Sequence, residues 1–336
     1  MQPSRKWVGL WLLAIAVIIL AMITIGGLTR LTGSGLSITE WDPIMGAIPP
    51  LNEAAWVEAF AKYQKIPQYL LENRGMSLEA FKGIFWWEWT HRFLGRLLGV
   101  AFFVPFVWFA WKGVIRKSHW PRMLLLFVLG GLQGFIGWWM VQSGLEARVS
   151  VSQYRLAIHL GAALLLLVAI LWIALEYLRD LKTDRPKSAG RAIGLAALIY
   201  VQMLLGALVA GLHAGLIYNT WPDMNGRVFP EDPFFHQPWW INFFENPGLA
   251  QFDHRIGAYV VAGFAVWVFA RGVQLAGYAK KSAKLVAGIT AFQVGLGIFT
   301  LMLQAPEGLA ALHQVTAAAL LSAAVWHAYE LRHLSA

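Results

Sequence analysis

Eight stretches of this 336-residue chain are apolar for about the length a lipid bilayer demands, and no other feature restricts its fold as much. They lie at roughly 8–28, 88–111, 122–142, 156–178, 192–212, 253–270, 285–304 and 310–330. About 20 residues of helix cross a hydrocarbon core. Inside that core each backbone N–H and C=O must be satisfied within the segment, so each run is expected to be a helix. The composition agrees: 58% of residues are hydrophobic and 13% charged, against about 45–50% and about 25% in a soluble domain. The first run follows Arg5 and Lys6 and ends in Gly26, Gly27 and Thr29 without a small-x-small cleavage pattern. It reads as a retained helix rather than a signal peptide.

An even number of crossings places both termini on one side. The N-terminus, the segments 112–122, 179–191 and 271–284, and the C-terminus together carry 16 Lys and Arg but only four acids, Glu176, Asp180, Asp184 and Glu330. Everything on the other side carries 11 Lys and Arg and 14 acids. Short loops rich in Lys and Arg stay in the cytoplasm, so the expectation is a multi-pass protein of the cell inner membrane with cytoplasmic termini. The net charge of +9 is thereby explained by topology, and nucleic acid is not an expected partner. The long connections 30–87 and 213–251 then face outward. Asn52, Trp56, Val57, Phe60 and Tyr63 have helical spacing that suggests a helix on the membrane surface. Tryptophans near 85–89 and 239–240 fit an interfacial belt. The absence of Cys removes disulfides, thiolate zinc sites, iron–sulfur ligation and a Cys nucleophile.

The chain repeats itself. Residues 26–50 align without gaps on 206–230, so that Gly26, Leu28, Gly35, Leu36, Trp41, Gly46 and Pro50 meet Gly206, Leu208, Gly215, Leu216, Trp221, Gly226 and Pro230. Further on, THR at 90–92 meets DHR at 253–255, Gln133 meets Gln293, and MVQ at 140–142 meets MLQ at 302–304. Corresponding helices run the same way, as in a parallel repeat about an axis along the membrane normal. The expected architecture is an all-α integral membrane protein built as two pseudo-symmetric four-helix bundles, 1–185 and 186–336. The pairs Gly95/Gly99 and Gly130/Gly134 have the small-xxx-small spacing that permits close helix packing.

Four histidines, His91, His159, His254 and His313, fall one on each even-numbered span. They precede the inner-face bases Lys112, Arg179, Arg271 and Arg332 by 21, 20, 17 and 19 residues. At about 1.5 Å per residue this places all four roughly 25–32 Å from the inner boundary, in one layer near the outer face. A single intramembrane His is commonly just hydrogen-bonded to a neighbour, but four at one depth, two per bundle, mark a site. Paired imidazoles on facing helices can hold a haem iron from both sides. Zinc asks for four ligands, or three and a water, and neither bundle offers a third His or a Cys in this layer. Arg92, Arg155 and Arg255 lie close by and can pair with haem propionates or serve as interfacial anchors. The halves differ in one respect. Glu88 stands three residues before His91, on the same helix face, while its counterpart before His254 is Gln251. A carboxyl group there can act as a base, or simply as a solvated helix-start residue.

GGLTRLTGSGLSITEW, EWTHR, LQGFIGWWMVQSGL, LAIHLG, NTWPDMNG, FDHR and LHQ, on eight spans with an internal duplication, together resemble the haem A synthase family, over essentially the whole chain. The resemblance implies conversion of haem O to haem A for cytochrome oxidase, by oxidation of the C8 methyl group to a formyl group. It implies that Glu88, His91 and His159 face the substrate haem O, that His254 and His313 ligate a haem b cofactor, and that the haem O synthase is a partner. With no loop Cys, the chain looks like the Cys-free mitochondrial and proteobacterial branch, and electrons cannot pass through a loop disulfide.

Turning a methyl into an aldehyde with water releases four electrons and four protons, so an electron acceptor outside the chain is required. With His on both axial positions no site is open for oxygen, unless one His leaves. Otherwise water attacks at C8 after stepwise oxidation of the substrate, and a base is needed there. A dihaem electron-transfer cytochrome explains the four histidines equally well but gives no reason for Glu88 in one half only. A haem exporter or chaperone sits poorly with a buried, doubly ligated haem.

Overall fold

A computed structural model describes residues 3–146, 148–179 and 189–333. The expected boundary at 185/186 and much of the basic loop before it lie outside the described residues. The chain forms α1 (Pro3–Leu31), α2 (Glu53–Tyr63), α3 (Pro67–Leu71), α4 (Leu78–Trp111), α5 (Trp120–Glu146), α6 (Gln153–Leu178), α7 (Gly190–Gly211), α8 (Asn242–Glu245), α9 (Pro247–Gly272), α10 (Gly277–Met302) and α11 (Glu307–Arg332). Eight of these, α1, α4, α5, α6, α7, α9, α10 and α11, are long and apolar enough to cross a membrane, and there is no β-strand among the described residues.

The contacts form two closed circuits. In one, α1 touches α4, α4 touches α5, α5 touches α6, and α6 returns to α1. In the other, α7, α9, α10 and α11 follow the same order. The circuits meet through α1, α6, α7 and α11, where Leu12, Leu164, Leu167, Leu195 and Ala318 are fully buried in one continuous apolar core. The peripheral helices turn Val100, Val104, Leu125, Val128, Val266 and Phe292 outward, each more than half exposed. Such a surface would be costly in water and is the ordinary one against lipid.

Two sequence expectations change. The second span was expected to begin at residue 88, but α4 starts at Leu78, where the Ser77 hydroxyl accepts a hydrogen bond from the Ala80 N–H at 3.2 Å. Phe81 and Phe85 on this extension receive α2: Trp56 lies 4.9 Å from Phe85, and Phe60 and Tyr63 lie 5.0 and 5.3 Å from Phe81, between ring centroids. Trp56, Phe60 and Tyr63 of α2 therefore pack on protein, Tyr63 fully buried, while Val57 stays 52% exposed. The second change concerns glycines. A Cβ built at Gly99, Gly130 or Gly134 meets nothing within 4 Å, so these positions do not bring helices together. Glycines with close neighbours on other helices are elsewhere, and four of them lie beside the histidines.

Candidate functional site

Each of the four histidines packs on a glycine of a neighbouring helix. A Cβ at Gly26 in α1 would stand 2.8 Å from Cε1 of His91, and one at Gly137 in α5 would stand 3.2 Å from Cε1 of His159. In the other half, Gly206 in α7 and Gly297 in α10 bear the same relation to His254 and His313, at 3.1 and 2.8 Å. The repeat that aligns Gly26 with Gly206 and Gln133 with Gln293 also aligns Gly137 with Gly297. Only a residue without a Cβ lets an imidazole lie this close to helix backbone. In each circuit the histidines come from one diagonal pair of helices and the glycines from the other, so the imidazoles face each other across the bundle centre.

The rings of His254 and His313 stand 6.4 Å apart, centroid to centroid, with their planes at 78°. Two imidazoles on opposite sides of one metal centre, each bound at about 2.0–2.1 Å, place their centroids about 6 Å apart. The pair therefore fits a ring-borne iron with two axial positions. Among the described residues no cluster of three or more His, Cys, Asp or Glu is placed to hold a metal. That argues against zinc, which needs at least three protein ligands.

The two pairs are held differently. Gln202 donates to the His254 carbonyl at 2.8 Å and lies 3.0 Å from its Nδ1; Gln293 does the same for His313 at 2.9 and 3.1 Å. A contact of this kind to Nδ1 fixes the orientation of the imidazole ring. In the first half, Nδ1 of His91 and Nδ1 of His159 are both buried without a partner. The position matching Gln202 is Met22, and Gln133, which matches Gln293, does not reach Nδ1 of His159.

Glu88 is 3% exposed and pairs with Arg92 at 2.7 Å. Its Oε1 accepts from Nε and Nη2 of Arg92 at 3.0 and 2.7 Å, and its Oε2 accepts from the Ser37 hydroxyl and the Ile38 N–H, both at 2.8 Å. Four donors match the four acceptor positions of a carboxylate. To take a proton from water, Glu88 must let one of them go. The Ser37 hydroxyl is the neutral, rotatable donor that water can replace. Ser37 was invisible to sequence reasoning because its partner lies 51 positions away.

The arginines named as haem contacts also hold backbone, and Nε of Arg255 is buried without a partner. Arg92 also donates to the carbonyls of Ile38 and Glu40 at 2.8 Å each. Arg255 donates to the carbonyls of Tyr218 and Thr220 at 3.0 and 3.1 Å. These acceptors correspond under the 180-residue shift, so each half uses one arginine, next to its histidine, to draw the outer loop over the site. Gln251 takes the place of Glu88 and donates to the carbonyls of Ala214 and Tyr218 at 3.0 and 3.1 Å. Arg155 donates to the Trp139 carbonyl at 2.6 Å and lies over that indole.

Residues 9–325 match the COX15-CtaA family model, described as cytochrome oxidase assembly protein. Among curated relatives, the chain is 49% identical to the heme A synthase of Parvibaculum lavamentivorans over 322 residues, covering 96% of this chain and 93% of that protein. The heme A synthase of Rhodopseudomonas palustris is 49% identical over 94% of this chain and 88% of its own length. That of a Caulobacter species is 48% identical, over 97% and 96%. With nearly the whole length matched at this level, the chain belongs to the COX15-CtaA family of cytochrome oxidase assembly proteins.

Proposed function

We propose that the protein is a haem A synthase, an oxidoreductase acting on a CH group that oxidises the C8 methyl of haem O to a formyl group through hydroxylated intermediates. In this reading residues 1–185 form the catalytic bundle and 186–336 the electron-carrying bundle. His91 and His159 hold the substrate haem O, and His254 and His313 hold a haem b. When bound, the haem b supplies a one-electron carrier toward an acceptor outside the chain. Glu88 takes a proton from the water that attacks the C8 methyl carbon once electrons have left the substrate for the external acceptor, with Ser37 and Arg92 fixing where the carboxylate points. Arg92 and Arg255 keep bulk water off each site by holding the outer loops down. The haem O synthase supplies the substrate within the same membrane.

The observation that carries this reading is the unequal pair of histidine sites. Both are seated on glycine, but only the first has a buried acid, Glu88, three residues before its histidine, where the second has Gln251, and only the second has glutamines fixing its imidazoles. Rigid ligation suits a resident carrier, and looser ligation suits a substrate that must arrive and leave. The test is mass spectrometry of haems extracted from protein produced in a host that makes haem O. Haem B together with haem O, hydroxylated haem O or haem A is expected. Haem B alone, at two per chain, would replace this reading with a dihaem cytochrome.

The charge distribution supports an inner-membrane orientation with both termini in the cytoplasm. A fluorescent protein fused after residue 336, of a type that folds only in the cytoplasm, is expected to fluoresce. A periplasmic phosphatase at the same point should stay inactive, and the opposite pattern would reverse the topology.

A further inference from the structure

Arg30 lies in the last turn of α1 and is partly buried. Its Nη2 donates to the carbonyl of Ala210 in α7. Among the described residues its side chain makes no other hydrogen bond and enters no ion pair. Ala210 is the residue that the 180-residue shift places opposite Arg30. A residue that touches its own counterpart lies where the two halves meet.

Residues 23–30 of α1 connect the two histidine pairs. Gly26, one turn before Arg30, seats His91, and Gly206, one turn before Ala210, seats His254. Gln314, adjacent to His313, donates to the carbonyl of Ile23 at 3.1 Å and packs on Gly27. His213, in the loop after α7, is held below the usual imidazole range by burial and then by the charge of Arg30.

A guanidinium at this depth is costly without an anion, and no carboxylate of the described chain supplies one. A haem carries two carboxylates, and the arginine fork binds such groups in a two-point contact. Arg92, Arg155 and Arg255 donate to carbonyls of their own half, whereas Arg30 reaches a carbonyl of the other half. Because its side chain reaches across to α7, it serves the second half.

We propose that Arg30 binds a propionate of the haem held between His254 and His313, placing a fixed positive charge between the two sites. The proposal rests on the two-haem reading above. The charge offsets that of the propionate and favours the ferrous state of the second-half haem, the state in which it holds an accepted electron.

The experiment is a redox titration of the purified, haem-loaded protein, followed by its visible spectrum. In Arg30→Gln the second-half haem is expected to oxidise more readily. Its ferric-to-ferrous ratio at a given potential should shift at least tenfold, which is about 59 mV for one electron. Arg30→Lys keeps the charge and should stay within about threefold of the wild type. A normally loaded Arg30→Gln protein with an unchanged second-half potential would overturn the proposal. If the wild type lacks a six-coordinate haem that is lost in His254→Ala, the two-haem reading itself fails. Should Arg30→Gln not fold, the wild type can be loaded with haem dimethyl ester, which lacks the carboxylates. The site should then retain the ester at least tenfold more weakly than haem, and equal retention would refute the contact.

Discussion

A Glu88→Gln protein is expected to load its haems normally and to form haem A about 10²–10⁴-fold more slowly, the range a positioned general base contributes. The substitution is a clean one for this site. The amide oxygen can still accept from Ser37 and the Ile38 N–H, so the loop should stay in place. What disappears is the basic oxygen and the ion pair to Arg92. A purely mechanical role for Glu88, as an anchor for Arg92, predicts something else. Arg92→Gln, which removes the same ion pair and the loop contacts but leaves the carboxylate, would then cost at least as much as Glu88→Gln. If Glu88 is the base, Arg92→Gln should lose much less turnover. Haem O, its hydroxylated products and haem A, quantified over time, separate the two cases. Wild-type haem A formation by Glu88→Gln would remove Glu88 from the chemistry altogether.

Gly297→Val should weaken haem binding in the second half while leaving the protein in the membrane. A Cβ at this position would lie 2.8 Å from His313, closer than packed atoms tolerate, and the two further methyl groups of valine add to the conflict. The imidazole must move off its seat, and with it the ligand atom. Overpacking of this kind costs about 1–3 kcal/mol, or about 5- to 150-fold in affinity. Gly26→Val should act likewise on His91, with loss of substrate haem and retention of haem b. The alanine series should follow the distances: Gly26 and Gly297 at 2.8 Å should suffer more than Gly206 at 3.1 Å and Gly137 at 3.2 Å. Haem content per chain, read by pyridine haemochrome and mass spectrometry, gives the order. Equal tolerance at all four positions would mean that the seats do not position the ligands.

The eight crossings were legible because each bilayer span must be written as a contiguous apolar run. The four histidines were legible for a related reason, since an ionisable group stands out against such a run. The repeat exposed Gly26, Gly206, Gln133 and Gln293 as coincidences, but not what they do. A glycine beside a histidine matters only once two helices are packed, and packing is absent from a one-dimensional pattern. The conspicuous small-xxx-small pairs accordingly drew attention to Gly99, Gly130 and Gly134, which face open space. Ser37, Arg96 and Arg30 stayed hidden because their partners are distant in sequence: Arg96 donates to the carbonyls of Asp42 and Pro43, and Arg30 to Ala210. The outward extension of α4 was missed because Leu78–Phe85 mixes charge with apolar residues and reads as the edge of a loop rather than as a docking face for α2.

The arginine clamps on the outer loops also bear on how the two halves can diverge. Arg92 and Arg255 grip main-chain oxygens, which every amino acid possesses. Side chains along 38–43 and 218–223 can therefore be exchanged through evolution without loosening the cover. A duplicated ancestor could have kept both covers shut while one copy acquired an acid beneath and the other an amide. New chemistry would then have required neither a new architecture nor a period with an unprotected cavity.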